Sequence, residues 1–292
     1  EDADGAFFCD GFYLPQIGSN TLNFKELYLS LQRNEKTILN HIKGNFCFLL
    51  FSHEKVQLWT DPFGIHKYFY LETQAGIVAS DDFFAIKPFS NREICLPNLY
   101  EYMVFNYFIE NRTLYGDVFQ SEGSSSFQIY PCKKQEKYFD LPEFLSKPQR
   151  LQVNKNQLLL QIKELWINIL KQYQEHFEKT QASLTLTAGF DSRMLLAGLL
   201  ANQMEPNTFT FGNIESRDVK LARLISGEMG LKHQHYYPDN GFFNNFALHA
   251  EKAIRFSGGQ SSVSRAHRLD AFTRHSQTSK LVYFGFGGSE IL

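Results

Sequence analysis

Apolar and polar positions alternate in short runs over the first half of the chain, a pattern typical of β-strands. The densest run covers residues 45–51, and a polar turn separates it from a second run at 56–60. Together they predict an antiparallel hairpin. Shorter apolar runs at 7–8 and 12–14 predict two further short strands. Residues 23–31 have apolar side chains at helical spacing instead, which predicts an amphipathic helix.

Proline, glycine and aspartate mark where the next elements turn or begin. Asp-Pro-Phe-Gly at 61–64 has proline and glycine where β-turns favour them, and a strand is predicted to follow at 67–70. The sequence Ser-Asp-Asp at 80–82 favours a helix start, so 83–86 is predicted to be a short helix. A longer helix is predicted over 97–108, beginning at a proline.

Strands alternate with helices in the second half. Helices are predicted at 158–173 and 217–229, and strands at 183–186, 208–212, 233–237 and 280–284. This alternation predicts a parallel sheet, whose ligands bind at the carboxyl ends of the strands. The glycine-bearing loops at 187–192 and 285–289 are therefore expected to face one crevice.

The stretch 183–199 carries the main candidate chemistry because it predicts a strand, a tight small-residue loop and a helix. Such a loop lets backbone N–H groups approach an anion, and the helix adds its positive N-terminal end. Asp191 would repel a phosphate but is suited to hold the Mg²⁺ that accompanies a nucleotide. The alternative is an ordinary strand-to-helix turn capped by Asp191 or Ser192.

Composition limits the classes of protein to consider. The 292 residues are 43% hydrophobic, enough for a large core and two domains. The formal net charge is −2 with interspersed signs, which argues against nucleic-acid and membrane-surface binding. No apolar run approaches the roughly 20 residues of a membrane span, and no secretory signal opens the chain.

The cysteines indicate the cellular compartment of the protein, and the chain ends indicate whether it is part of a longer chain. Cys9, Cys47, Cys95 and Cys132 are widely spaced and form no CxxC pair. They are predicted to be reduced, mostly buried thiols of a cytoplasmic protein. The chain starts with glutamate and stops just after a glycine-rich turn, so both ends are expected to be cuts within a longer protein.

The loop 187–192, Thr-Ala-Gly-Phe-Asp-Ser, resembles the Ser-Gly-Gly-x-Asp-Ser pyrophosphate loop of ATP pyrophosphatases, and the flanking chain resembles asparagine synthetase. Residues 44–48 and 61–70 resemble the glutaminase domain of that family. The resemblance implies an N-terminal glutaminase-like (Ntn-type) antiparallel αββα sandwich over 1–145. It also implies a C-terminal ATP-pyrophosphatase domain, an α/β domain with a parallel sheet, over 146–292.

The resemblance implies ATP and Mg²⁺ as ligands. It places the metal on Asp191 and the nucleotide contacts on Leu186, Thr187, Ala188, Gly189, Phe190, Asp191, Ser192, Phe211 and Gly285. No catalytic residue is assigned.

Several residues depart from the family pattern. Residue 1 is glutamate where family glutaminases have an N-terminal cysteine, and Cys9 is not terminal and does not replace it. Asp10-Gly11 stands where the family has the Asn-Gly of its oxyanion hole, and a carboxylate would repel the developing charge. Phe286 replaces a glutamate of the transfer chemistry, and Ser289 replaces a Mg²⁺-binding aspartate.

The resemblance therefore implies an ATP-dependent amide-forming ligase. It would activate a carboxylate, aspartate or a related acid, as the acyl-adenylate, release pyrophosphate and form an amide with ammonia, an amine or glutamine. The alternative is a catalytically reduced relative that binds a nucleotide or a partner without turnover. A homodimer is compatible with the resemblance, whereas nucleic-acid and membrane partners are not expected.

Three minor features have simpler explanations. His233 and His235 share one face of a predicted strand, but no third metal ligand is near in sequence. Arg193 stands in place of a second serine of the family loop, where it either contacts phosphate or pairs at the surface. Anion contacts are considered, against solvated loop charges, for Arg255, Arg265 and Arg268.

Overall fold

The computed structural model describes residues 5–14, 16–17, 20–21, 23–91, 93–146, 154–177 and 182–285. The chain forms two compact units, Glu1–Arg150 with Ser257–Gln260 and Leu151–Phe256 with Ser261–Leu292. The identities predicted for 1–145 and 146–292 stay predictions, and each unit is described by itself.

The first unit is built mainly from antiparallel strands. Its described elements are β1 (Gly5–Leu14), β2 (Gln16–Ile17), β3 (Asn20–Thr21), α1 (Phe24–Gln32), β4 (Lys43–Ser52), β5 (Val56–Thr60), β6 (Phe69–Thr73), β7 (Gly76–Ser80), α2 (Phe83–Ile86), α3 (Leu96–Phe105), β8 (Phe119–Gln120), β9 (Ser125–Tyr130), β10 (Lys134–Lys137) and α4 (Leu141–Ser146). Short 3₁₀ helices cover Lys36–His41 and Lys87–Phe89. A five-stranded sheet runs β1-β4-β5-β9-β10, and a three-stranded sheet runs β7-β6-β8.

Alternation along β4 shows how these layers stack. On one face of the five-stranded sheet, Phe46, Phe48, Leu50 and Trp59 pack with Leu27 and Leu31 of α1. The opposite face packs on the three-stranded sheet through Cys47, Leu49, Leu58, Tyr68, Tyr70 and Phe127. Helix α2 covers the far face of the three-stranded sheet with Phe83 and Ile86. The layer order is helix, sheet, sheet, helix, because a strand has a side-chain period of two.

Local signals explain several boundaries in this unit. Asn23 accepts a hydrogen bond from the Glu26 amide at 2.8 Å while the Glu26 carboxylate accepts from the Asn23 amide at 3.0 Å, so a capping box starts α1. The turn predicted at 61–64 is confirmed by a 3.1 Å bond from the Gly64 amide to the Asp61 carbonyl. The helix predicted over 97–108 ends earlier, at Phe105, because Asn106 adopts a left-handed conformation with φ of 59°.

The strand conformation predicted at 7–8 and 12–14 is confirmed, but the two strands are not separate. The segment is one ten-residue strand, β1, which pairs with β4 without interruption from Gly5 opposite Ser52 to Leu14 opposite Lys43. Pairing with a long neighbouring strand holds the polar middle of the segment extended, which its own sequence does not favour.

The second unit alternates helices and strands. Its described elements are α5 (Lys155–His176), β11 (Ala182–Thr185), α6 (Phe190–Ala201), β12 (Asn207–Phe211), α7 (Arg217–Glu228), β13 (His233–Tyr236), α8 (Asn240–Asn244), α9 (Phe246–Phe256), α10 (Ala266–His275) and β14 (Leu281–Tyr283). A 3₁₀ turn covers Val263–Arg265. The strands form one parallel sheet in the order β13-β12-β11-β14. The parallel sheet predicted here and the antiparallel sheets predicted in the first part are confirmed.

Strand β11 lies at the centre of this sheet, and all four of its residues are buried. Its neighbours in the core are Leu186, Leu195, Leu196, Leu199, Ala222 and Tyr283. Helices α5 and α6 approach closely at Gly198, where an added Cβ would lie 2.4 Å from Leu170 Cδ1 and 2.6 Å from Trp166 Nε1. Only glycine fits this contact without displacing a neighbour.

The structure bears on two predictions made from composition, the state of the cysteines and the presence of a membrane span. All four cysteines carry free thiols, but the expectation that most are buried was wrong, since Cys132 is exposed and the other three are partly exposed. Within the described ranges, no helix is both long enough and apolar enough to cross a bilayer.

Candidate functional site

The loop between β11 and α6 lies at the carboxyl end of the central strand. It consists of residues 186–189, since β11 ends at Thr185 and α6 begins at Phe190. Leu186 is buried and tied to the next strand on both sides, because its amide donates to Phe209 O at 2.9 Å and its carbonyl accepts from Thr210 Oγ1 at 2.7 Å. These two hydrogen bonds to β12 fix the position of Leu186, at which the chain leaves the sheet.

Ser192, in the first turn of α6, closes the loop from the other side. Its hydroxyl is buried and lies 3.1 Å from both the amide nitrogen and Oγ1 of Thr187. The Thr187 hydroxyl also accepts from the Gly189 amide at 3.1 Å. These bonds hold the loop in one conformation, so little conformational entropy remains to be lost when a ligand binds.

Asp218 in the first turn of α7 also contacts the loop. Its Oδ1 accepts a 2.8 Å hydrogen bond from the Ala188 amide. One N–H group of the loop backbone, that of Ala188, thus already binds a carboxylate oxygen of the protein itself.

Gly285 closes the loop from a third direction. It follows β14, and a Cβ at this position would lie 2.5 Å from the Ser192 nitrogen and 2.9 Å from the Asp191 carbonyl carbon. A side chain would therefore enter the backbone at the start of α6. The structure places Gly285 beside the loop that the sequence associates with it, while the rest of the predicted 285–289 loop, including Phe286 and Ser289, lies outside the described residues, as does Glu1.

Phe190 and Arg193 form the exposed side of the loop. The Phe190 ring is 81% exposed, and the Arg193 guanidinium lies 4.4 Å from its centroid. Arg193 Nε also donates to the Gly189 carbonyl at 3.3 Å. A positive charge is thus fixed next to the N-terminal end of α6, where an anion is already favoured.

Phe211 ends β12, the strand beside the loop. Its ring lies 5.8 Å from that of His267 and 6.2 Å from that of Phe272, and it is half-buried. Of the predicted ligand residues, Leu186 to Ser192 and Gly285 form one contiguous cluster, and Phe211 lies at the carboxyl end of the neighbouring strand. The cluster also includes Thr210 and Asp218, whose contacts the sequence analysis did not identify.

The histidine pair on β13 is engaged in hydrogen bonds. His233 Nδ1 lies 2.9 Å from Thr208 Oγ1 and 3.3 Å from Ser226 Oγ, and His235 Nε2 lies 2.8 Å from the Gly212 carbonyl. Burial, with Arg223 nearby, lowers the pKa of His233 to about 4. In the part of the chain that the structure describes, no three His, Cys, Asp or Glu side chains are grouped to hold a metal ion.

In the first unit, the segments that resemble a glutaminase domain contain or adjoin two cysteines, Cys9 and Cys47, whose thiols have raised pKa values. Burial and the neighbouring Asp10 raise the pKa of the Cys9 thiol to about 11. Burial raises that of Cys47 to about 12, with Asp10 as the next cause. Asp10 itself lies 3.2 Å from His66 Nδ1. Thiols with such pKa values are poor nucleophiles at neutral pH, because the thiolate is the reactive form.

Comparison with solved structures gives distant similarity for the two structures described here. No protein-family model matches the chain, and no curated protein matches it. The chain is similar to the solved structure of glutamine phosphoribosylpyrophosphate amidotransferase from B. subtilis complexed with ADP and GMP, with 11% identity, 80% of this chain and 46% of that chain covered, and a TM-score of 0.30. The allosteric regulatory enzyme of purine biosynthesis shows 12% identity, 71% and 45% coverage, and a TM-score of 0.30.

The chain spans about half the length, 46% and 45%, of these two solved structures. A TM-score of 0.30 is too low to transfer a fold or a function.

Proposed function

We propose that the second unit binds ATP at the 186–192 loop and acts as an amide-forming ligase of the asparagine synthetase type. The observation that carries the proposal is the loop at the carboxyl end of β11, with the Arg193 guanidinium beside the start of α6. Gly285 packs against this start so closely that a Cβ would lie 2.5 Å from the Ser192 nitrogen. The loop comes at the carboxyl end of the central parallel strand, where such sheets bind ligands. The N-terminus of α6, with the Arg193 guanidinium beside it, would then meet the pyrophosphate of the nucleotide.

In the proposed reaction, a carboxylate oxygen of aspartate or a related acid attacks the α-phosphorus of ATP. Pyrophosphate leaves and an acyl-adenylate forms. Ammonia or an amine then attacks the acyl carbon, AMP leaves with the bonding electron pair, and the amine loses a proton to give the amide. Arg193 and the N-terminus of α6 would stabilise the charge that develops on pyrophosphate.

Asp191 is the residue proposed to hold Mg²⁺. A single carboxylate fits this ion, since Mg²⁺ usually keeps several waters and takes its other ligands from substrate phosphates. When bound, the ion neutralises phosphate charge. Asp191 is the second residue of α6, two positions after Gly189.

The raised thiol pKa values in the first unit favour ammonia or a free amine as the nitrogen donor. Neither Cys9 nor Cys47 is suited to attack glutamine, because each is protonated at neutral pH.

The alternative is a nucleotide-binding relative without turnover. It is favoured by the hydrogen bonds within the loop, because the amides of Thr187, Ala188 and Gly189 already donate to side chains of the protein. Because these hydrogen bonds already occupy the loop amides, the loop keeps its conformation whether or not a reaction takes place at the site.

Pyrophosphate release from Mg-ATP tests the proposal, measured with ammonia and a panel of carboxylates led by aspartate. Nucleotide binding is measured in parallel by calorimetry. Asp191→Ala and Gly285→Ala are the test variants, and Glu228→Gln, on the exposed end of α7, is a control for loss of one carboxylate. Circular dichroism confirms that each variant is folded.

We expect carboxylate-dependent pyrophosphate release that falls at least tenfold in both test variants and is unchanged in Glu228→Gln. ATP binding without pyrophosphate release, weakened by Gly285→Ala, would support the non-catalytic relative. The nucleotide site itself would be rejected if the parent protein failed to bind ATP, or if Gly285→Ala were folded and bound ATP normally.

A further inference from the structure

A cavity of about 620 Å³ lies in the first unit, between its two sheets. Its walls are mainly apolar and come from β1, β4 and β5 on one side and from Tyr68 and β7 on the other. Two large aromatic side chains of the wall, Phe8 and Phe51, are 50% and 57% exposed. Exposed aromatic rings lining a cavity of this size indicate a binding site for an organic molecule.

Three charged side chains line the cavity, and they differ in what they contact. Asp10 and Asp81 are both exposed carboxylates. The third is Lys67, whose ammonium lies 3.2 Å from the side-chain oxygens of both Gln120 and Gln260. Asp10 lies 3.2 Å from His66 Nδ1, and Asp81 accepts a hydrogen bond from the Ser80 hydroxyl at 3.3 Å. The cavity wall thus carries two carboxylates against one ammonium, an excess of negative charge.

The Cys47 thiol in the cavity wall reports the sign of the local potential. Its pKa is raised to about 12, first by burial and then by negative charges that include Asp10 and Asp81. A potential that opposes a thiolate also opposes a carboxylate or phosphate ligand, and it stabilises a cation.

We propose that this cavity binds an organic ammonium ion with an apolar body. The apolar part would contact Leu49, Leu58 and Ile77, while the ammonium group would pair with Asp10 and Asp81. The aromatic walls strengthen the fit, because the faces of Phe and Tyr rings attract organic cations. The proposal depends on the first unit alone and is independent of nucleotide binding by the second.

A matched series of three six-carbon probes separates charge from apolar contact. Binding of n-hexylammonium, n-hexanol and hexanoate to the full chain is measured by calorimetry at one salt concentration. The charge variant is Asp10→Asn with Asp81→Asn, and its control is Glu54→Gln, an exposed carboxylate in the turn between β4 and β5. Ala79→Leu adds three carbon atoms to the cavity wall and reduces its volume.

We expect n-hexylammonium to bind at least tenfold more tightly than hexanoate. The double asparagine variant should weaken its binding about tenfold, as for the loss of a charge-assisted hydrogen bond, and should leave n-hexanol unchanged. Glu54→Gln should have no effect, and Ala79→Leu should weaken n-hexylammonium and n-hexanol alike.

Three results would overturn the proposal. They are no binding of n-hexylammonium, equal or tighter binding of hexanoate, and n-hexylammonium binding that the double asparagine variant does not change. If Ala79→Leu does not fold, the double asparagine variant still tests the proposal. Asp10 and Asp81 are both exposed, so an isosteric change at these positions is tolerated.

Discussion

Asp61 shows how one buried charge organises a turn. Its side chain is fully buried, and the carboxylate accepts hydrogen bonds from the amides of Phe63 and Ile65 at 2.9 Å and of His66 at 3.1 Å. Its carbonyl accepts from the amides of Gly64 and Ser124. A buried carboxylate is tolerated here because several N–H donors compensate for its desolvation.

Replacing Asp61 by asparagine should destabilise the first unit. The side chain would keep one acceptor oxygen but turn an NH₂ group toward backbone N–H groups, which leaves buried donors unsatisfied. We expect a loss of about 2–4 kcal/mol in the free energy of unfolding, measured by urea denaturation. Asp140→Asn, at the start of α4, is the control and should cost about 1 kcal/mol or less. Equal midpoints for the two variants would contradict this account.

At the scale of the helices, two glycines have opposite surroundings. Gly198 in α6 lies against Leu170 and Trp166 of α5, whereas Gly227 in α7 is exposed and has open space where a Cβ would be. Intrinsic propensity favours alanine over glycine by about 1 kcal/mol in both helices. Packing therefore decides whether alanine at position 198 raises or lowers the free energy of unfolding. Helix propensity decides it at position 227.

Alanine substitutions at these two positions are expected to have opposite effects. Gly198→Ala should lower the free energy of unfolding by about 1–3 kcal/mol, because its Cβ would overlap α5. Gly227→Ala should raise it by about 0.5–1 kcal/mol. Thermal or urea unfolding measures both, and stabilisation by Gly198→Ala would show that α5 does not pack on α6 as described.

At the scale of the whole molecule, the half-buried His233 links stability to pH. Its pKa is about 4 in the folded protein against an ordinary 6.5, so between these values the unfolded chain binds a proton that the folded chain does not. Stability therefore rises with pH in this window. The contribution of His233 is fully present above about pH 6.5 and is lost as the pH falls toward 4.

Substitution of His233 should flatten this dependence. We expect His233→Gln to reduce the loss of unfolding free energy between pH 7 and 4.5, relative to the parent, because glutamine keeps a polar contact with Thr208 and does not titrate. His53→Gln, in an exposed turn, is the control and should leave the slope unchanged. The comparison uses urea denaturation at several pH values. A parent-like slope in His233→Gln would assign the pH dependence to other groups.

Much of the architecture was predictable because its causes are local. The hairpin of β4 and β5, the Asp61–Gly64 turn, the capped helix α1 and the strand-loop-helix of β11 and α6 all follow from alternation, turn residues and helix spacing within a few residues. The parallel sheet followed from the order of its elements. Strands β7 to β10 were not predicted, since short and partly polar strands are specified by their partners across a sheet.

The sequence by itself determined where a small-residue loop interrupts a buried strand and a helix, and hence which residues are candidates to meet an anion. Only the tertiary structure decided that Asp218 bonds to the Ala188 amide, that Gly285 lies against Ser192, and that β1 is continuous. It also decided that Asp10 and Asp81 line one cavity. The members of these three pairs are 30, 93 and 71 positions apart along the chain, and such distant contacts depend on how whole layers pack rather than on any local preference.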